Sequence, residues 1–419
     1  MKIKNLTTLG LGTAALLTLS ACGLYSDAPP AQESQPTQEI TQPPALVQEV
    51  PVQEPVTNEV TQPELSRFSM DFLDVPYTLE EHLNFLGWLI SSYNEIAPTI
   101  WLNNSVLDMY AIVKEVSEPD RLWLVYSDGT VSEISLQDAI ARGLDEERID
   151  MYHQLGDGRG YFTPIDVNNL NNWEVLHPSF APTEVFRLGV HEGFHVLEQS
   201  QKWANASRTV FDFETFEMLV SEEEFAEFLI RVNAEREEFL EETDARVARR
   251  LLMRDLRLAV VNRDNEDYTL TALATYRAFR ENFPQQHLIS TDQDRSEGTA
   301  TYFDFVAALN ILFPNEVQTR EGLDEALAYW MTYIDYENRL TIGLVLEGYY
   351  IGSLATMLLN RYVESDVWQQ TIMDDYNVTS LSLLYDHFSG RSLPNPSVAT
   401  QDFIDETLNL IERRRATFR

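Results

Sequence analysis

In VFRLGVHEGFHVLEQSQKW, residues 185–203, two histidines stand four apart and a glutamate follows the first. Side chains at that spacing on a helix share a face, one turn apart, so His191 and His195 can aim both imidazoles at one point. Neutral imidazole is a zinc ligand at roughly 2.0–2.1 Å. Glu192 projects beside that point, where a carboxylate can take a proton from a zinc-activated water, because zinc brings the pKa of bound water to about 7. The water then attacks a carbonyl, and the same glutamate hands the proton to the leaving amine. The competing reading is a pair of helix histidines satisfied by a backbone carbonyl or by Glu198. Two ligands do not make a site, and a short motif has chance matches.

The chain carries one cysteine, Cys22, which excludes an intrachain disulfide and a thiolate-rich metal site. A third ligand must then be His, Asp or Glu. DRSEGTATYFDF (294–305) offers Glu297. FDFETFEML offers Glu214, with eighteen residues between it and His195. NFPQQHLIS, which reads as a loop, offers His287.

Taken together, His191, Glu192 and His195 with Glu297, Gly298, Ala300 and Tyr302 form an HExxH and an E-G-x-A-x-Y run that resemble the gluzincin-type zinc metallopeptidases. The resemblance extends over about residues 182–362. It implies a zincin-like architecture, peptide-bond hydrolysis, Zn2+ as cofactor, and a His-His-Glu site completed by Glu297 from a second helix. Many members place an aspartate four residues after that glutamate to orient a ligand histidine. Here Thr301 holds that position, and Asp304 follows about two turns after Glu297. Gly298 and Ala300 are expected to let the second helix approach the first. LEGYYIGSLATMLLNRY (346–362) resembles the tyrosine-bearing helix of some small gluzincin families. Tyr349, Tyr350 and Tyr302 are therefore candidates to hydrogen-bond the developing oxyanion. For each, core aromatic packing is the alternative.

These groups need elements to hold them. YTLEEHLNFLGWLISSYNEI spaces Leu79, Leu83, Leu86, Ile90 and Tyr93 as one helix face, Thr78 with Glu81 forms a capping box, and Pro98 is expected to end the helix. MYAIVKEV and RLWLVYSDGTVSEISL read as strands, with Asp128-Gly129 as a hairpin turn, in a sheet over about 105–136. LGDGRGYF and NNLNN read as turn-rich connections. The rest reads as helices: one from Pro182, a long region whose start at Ser221 and Glu224 forms a second capping box, and others at 270–280, 294–312, 324–336, 342–362 and 400–415. The expected fold is mainly α with a small antiparallel β element (α+β). Within a unit spanning 67–419, the β-containing part is 67–180 and the helical part 181–419.

At the N-terminus, Lys2 and Lys4 precede a short apolar run and Leu19-Ser20-Ala21-Cys22. The run is too short for a confident membrane span. It resembles a bacterial lipoprotein signal over 1–21, which implies cleavage before Cys22, lipidation of that cysteine and an extracytoplasmic protein anchored on the cell membrane or outer membrane. Residues 22–66 are rich in Pro, Gln and Glu and read as a disordered tether. The net charge of −37 among 419 residues repels phosphate backbones, so nucleic acid is not an expected partner. The partners expected are a peptide or protein substrate and, through Cys22, a lipid membrane. The leading expectation is a membrane-anchored zinc peptidase. The alternatives are a non-catalytic envelope lipoprotein and a zinc hydrolase of a non-peptide amide.

Overall fold

A computed structural model describes residues 78–115, 118, 120–146, 151–155, 158–165, 181–199, 211–212, 217–218, 243–333 and 344–417. The lipoprotein signal with Cys22, the tether, NNLNN, the Ser221–Glu224 capping box and Glu214 lie outside them. The described chain is mainly helical, with a small mixed sheet, an α+β arrangement.

Helix α1 (Leu79–Ile100) opens on the expected capping box: Glu81 N donates to Thr78 Oγ1 at 3.2 Å, and Thr78 N donates to Glu81 Oε2 at 2.8 Å. Pro98 does not end it. The proline sits inside the last turn, where it removes one helical hydrogen bond. Buried Ala97, Ile100 and Trp101 hold that turn against the core, and Asn104 Nδ2 donates to Ala97 O at 2.8 Å.

Five strands follow: β1 (Tyr110–Glu115), β2 (Arg121–Val125), β3 (Val131–Ser135), β4 (Met151–Leu155) and β5 (Gly158–Ile165), with the short helix α2 (Leu136–Ala141) between β3 and β4. Their order is β3-β2-β1-β5-β4. The Asp128-Gly129 turn joins β2 to β3 as expected, with Gly129 at φ +84° and Tyr126 N donating to Thr130 O at 2.9 Å. Two expectations need correction. The sheet is not purely antiparallel, because β1 and β5 pair in parallel. The GRGYF part of LGDGRGYF is strand, not connection. Its glycines are there for packing: a Cβ at Gly158 or Gly160 would enter the ring of Tyr110 on the neighbouring strand. That cross-strand covering of glycine by an aromatic has no local signature.

Alternation along the strands divides the sheet. Ala111, Val113, Trp123 and Val125 face the main core, while Tyr110, Ile112, Leu122, Leu124 and Phe162 form a second cluster with Ala139 of α2. Against the inner face lies α3 (Ala181–Gly193), which runs on into a π-helical turn, Phe194–Gln199. Two short strands, β6 (Phe211–Asp212) and β7 (Glu217–Met218), pair with each other. The helical body comprises α4 (Thr243–Val261), α5 (Glu266–Asn282), α6 (Pro284–Leu312), α7 (Arg320–Tyr333), α8 (Leu344–Tyr362), α9 (Ser365–Asp374), α10 (Ser380–His387) and α11 (Gln401–Thr417). Helix α6 begins at Pro284, so His287 stands on a helix and not in a loop. Proline lacks the donor that a first helical turn leaves unused.

Among the described residues, α6 and α8 cross at backbone contact. A Cβ on Gly352 would come within 2.6 Å of Gly298 Cα, and one on Gly348 within 2.8 Å of Gln293 Cβ. Gly298 therefore serves the crossing with α8 and not, as the motif suggested, an approach to α3. Beside this crossing Arg249 pairs with Asp294, and Arg246 Nη2 donates to Glu347 Oε1 at 3.0 Å, all four buried. A knot of aromatic rings joins the two site helices to α1 and α9. Phe194 stacks on Phe303 at 4.5 Å, and Trp101 meets Phe194, Phe303 and Trp368 edge-on at 5.0, 5.9 and 5.4 Å. No helix among the described residues is long and apolar enough to cross a membrane.

Candidate metal centre

Helices α3 and α6 bring together groups that lie more than a hundred positions apart in the chain. His191 Nε2 and His195 Nε2 stand 3.0 Å from each other, and 3.2 and 3.0 Å from Glu297 Oε2. All three side chains are buried. Together they form a group of side chains able to hold a metal ion.

The outward nitrogens explain why the rings aim inward. His191 Nδ1 lies 3.1 Å from Asp304 Oδ2, and Arg187 Nε donates to the other oxygen of Asp304 at 2.7 Å. His195 Nδ1 lies 2.7 Å from Gln199 Oε1. Acceptors at both Nδ1 atoms favour the ring form with hydrogen there and a lone pair at Nε2. Two lone pairs and a carboxylate oxygen then face one point. Tetrahedral bonds of about 2.0–2.1 Å would space such donors roughly 3.3–3.4 Å apart, slightly wider than the distances seen. The donor set fits a small divalent cation with nitrogen and oxygen affinity.

The same groups favour a proton on His191. Burial alone would lower the pKa of His191, but the bonds to Asp304 and Glu297 overcome it and raise it to about 10. Burial alone would raise Glu297, yet the neighbouring histidines hold it well below the usual carboxylate range. A cation bound between these atoms would therefore compete with that proton.

The remaining candidates separate clearly. Glu192 is buried next to His191, and its charge acts on both His191 and Tyr152 of β4. The Tyr349 ring stacks on His191 with centroids 5.2 Å apart and planes 6° from parallel. Tyr350 is buried in the main core. Tyr302 is not at the ligand set: it packs edge-on to Trp368 at 5.5 Å, and burial raises its pKa. Five helical positions after Glu297 it points about 140° away, into the core. His287 is also elsewhere, 3.1 Å from the Tyr276 hydroxyl, with its pKa lowered by burial to about 4. Glu198, the proposed partner of the histidines, instead accepts from Ser105 N at 3.1 Å. Asp304 does face His191, as its two-turn spacing from Glu297 suggested, and lies against Nδ1 of that ring.

Two contributors escaped sequence reading. Arg187 and Gln199 stand four before His191 and four after His195, so one stripe of positions carries ligands and supports alike. That spacing was the available signal.

Compared with models of known families, with curated proteins and with solved structures, the chain matches none.

Proposed function

We propose that this chain is a zinc-dependent hydrolase of peptide bonds with a zincin-like catalytic body, tethered outside the cytoplasm through Cys22. The observation that carries the reading is the convergence of His191 Nε2, His195 Nε2 and Glu297 Oε2, with each imidazole's other nitrogen held by its own acceptor. Bound there, zinc would polarise a substrate carbonyl and make water more acidic.

The chain's own groups supply the rest. Glu192 takes the proton of the attacking water and passes it to the leaving nitrogen as the C–N bond breaks, leaving a carboxylate and an amine. Tyr349, resting on the His191 ring, is the tyrosine assigned to the developing oxyanion. The neighbouring sheet supports the peptide class. β4 is an edge of the described sheet, and Tyr152 on it donates to Gly189 O of α3 at 2.7 Å. A Cβ on Gly193, the residue after Glu192, would meet the same Tyr152 hydroxyl at 2.6 Å, so the helix turn that carries the base packs on a side chain of the edge strand. An extended peptide pairing its main chain along β4 would present its carbonyls near the base with little side-chain preference.

The test is metal content and peptide hydrolysis of the full chain and three variants. Wild type should hold about one zinc per chain. Glu192→Gln should keep the metal and lose about 10²–10⁴-fold in turnover, the usual worth of a general base. His191→Ala and Glu297→Ala should lose the metal. Full turnover in Glu192→Gln, or wild type without stoichiometric metal, would overturn the reading.

A further inference from the structure

We propose that Gln199 is a positioning residue that dictates which nitrogen of His195 faces the ligand cluster. The proposal rests on the metal reading for its purpose, but the geometry that carries it does not depend on metal.

A glutamine amide can present either its oxygen or its nitrogen to a neighbour, so its orientation must be fixed by partners that leave no choice. Gln199 has such partners. Its Nε2 lies 2.8 Å from Ser296 O and 2.8 Å from Thr299 Oγ1. A backbone carbonyl can only accept. The Thr299 hydroxyl spends its hydrogen on Arg295 O at 2.7 Å, which leaves its oxygen to accept as well. The amide nitrogen therefore faces α6. The amide oxygen is left facing His195 Nδ1 at 2.7 Å, and an amide oxygen cannot donate. Nδ1 of His195 must carry the hydrogen, and Nε2 is the nitrogen offered to Glu297 and His191.

The chain reaches this arrangement through the π-helical turn, which ends at Gln199. The turn carries His195 and, four positions on, the amide that orients it; isolated π turns recur at functional sites. Both donor bonds of the amide go to α6, the helix that also supplies Glu297. Gln199 thus fixes one ligand by reference to the element that carries another. The support of His191 is different in kind, a carboxylate neutralised by Arg187. One ligand histidine rests on a charge and the other on a neutral amide.

The experiment uses the full chain labelled with nitrogen-15 at histidine, with and without zinc, together with Gln199→Met and Gln199→Glu. Methionine keeps the volume and removes the acceptor. Glutamate keeps an acceptor for the ring and gives up the amide's two donor bonds. In wild type, His195 should show a proton at Nδ1 in the metal-free state and keep it when zinc occupies Nε2. Gln199→Met should weaken zinc binding about 10–100-fold, as loss of a ligand's supporting partner does, while Gln199→Glu, which keeps the ring's acceptor but turns its second oxygen toward Ser296 O, should lose less. Wild-type zinc affinity in Gln199→Met, or an equal loss in both variants, would overturn the proposal, as would zinc on Nδ1 of His195. If Gln199→Met fails to fold, the wild-type nitrogen spectra decide alone. A wild type that takes no zinc but shows the Nδ1 proton would uphold the role of Gln199 and sink the metal reading instead.

Discussion

Replacing Gly298 with alanine should loosen the metal site without touching a ligand. Two opposing terms act. Alanine favours a helix over glycine by about 1 kcal/mol, which stabilises. Against that, the new Cβ would collide first with Gly352 Cα, and would stand 2.6 Å from the carbonyl carbon of Gly352 and 2.9 Å from Ser353 N. Ordinary Cβ contacts begin near 3.4 Å, so the shortfall is about 0.8 Å at the carbonyl carbon and larger at Gly352 Cα, and backbone cannot rotate out of the way. Overpacking of this kind costs about 1–3 kcal/mol, sometimes more, so the net effect is a loss of up to about 2 kcal/mol. The displacement matters more than the energy. Glu297 is the preceding residue, and a ligand set tolerates only about 0.5 Å of misplacement. Zinc affinity should fall at least tenfold. Gly189→Ala is the matched control: it gains the same helix preference, and the nearest atoms to its Cβ are the far end of the Met109 side chain at 3.3 Å and Tyr161 Cβ at 3.4 Å. It should be as stable as wild type or slightly more so, with unchanged zinc binding. Denaturant melts and competitive zinc titration measure both quantities. Equal stability and equal zinc affinity in the two variants would refute the argument that backbone proximity at the α6–α8 crossing sets the position of Glu297.

The remaining expectations concern the groups around the ligands. The metal-free pKa of His191 lies near 10 against 6.5 for an unperturbed histidine, so its contribution to stability is complete below pH 6.5 and is lost as pH rises through 10. Thermal melts of metal-free protein should decline over that window more steeply than melts with zinc, whose binding should tighten with pH as it displaces the proton; parallel declines would count against the competition. Asp304→Ala strips Arg187 of a buried carboxylate and His191 of its acceptor, so it should cost roughly 3–5 kcal/mol and lower zinc affinity about 10–100-fold. Denaturation and zinc titration would expose a smaller role if either change is slight. His287→Ala should keep full zinc content, since that ring pairs with Tyr276; loss of metal on elemental analysis would reopen the choice of third ligand.

Much of this arrangement could be read from the sequence because its signals are local. The Thr78–Glu81 box and the Asp128-Gly129 turn each lie within four residues, and the structure forms both. His191 and His195 share a face by helical period alone. Glu297 needed a family resemblance, since no spacing rule links positions 106 apart. The features that escaped are those set by partners distant in sequence. Gly158 and Gly160 look like turn residues until the Tyr110 ring is placed over them. Gly298 looks like clearance for the first motif helix until Gly352 is found against it. Pro98 looks like a stop because its cost is local, whereas the burial of Ala97 and Trp101 that outweighs it is not. Tyr302 and Tyr349 are equally plausible by residue type; only the fold sends one into the core and lays the other on His191.

The aromatic knot gives the molecule an optical use. Phe194 precedes His195 and Phe303 precedes Asp304, and Trp101 lies edge-on to both rings. An indole whose neighbours adjoin a ligand and its supporting carboxylate is a built-in fluorophore, sensitive to small shifts of either helix. Loading of the proposed centre should thus change light emission from the unlabelled chain, with Trp101→Phe showing how much of the signal comes from this ring.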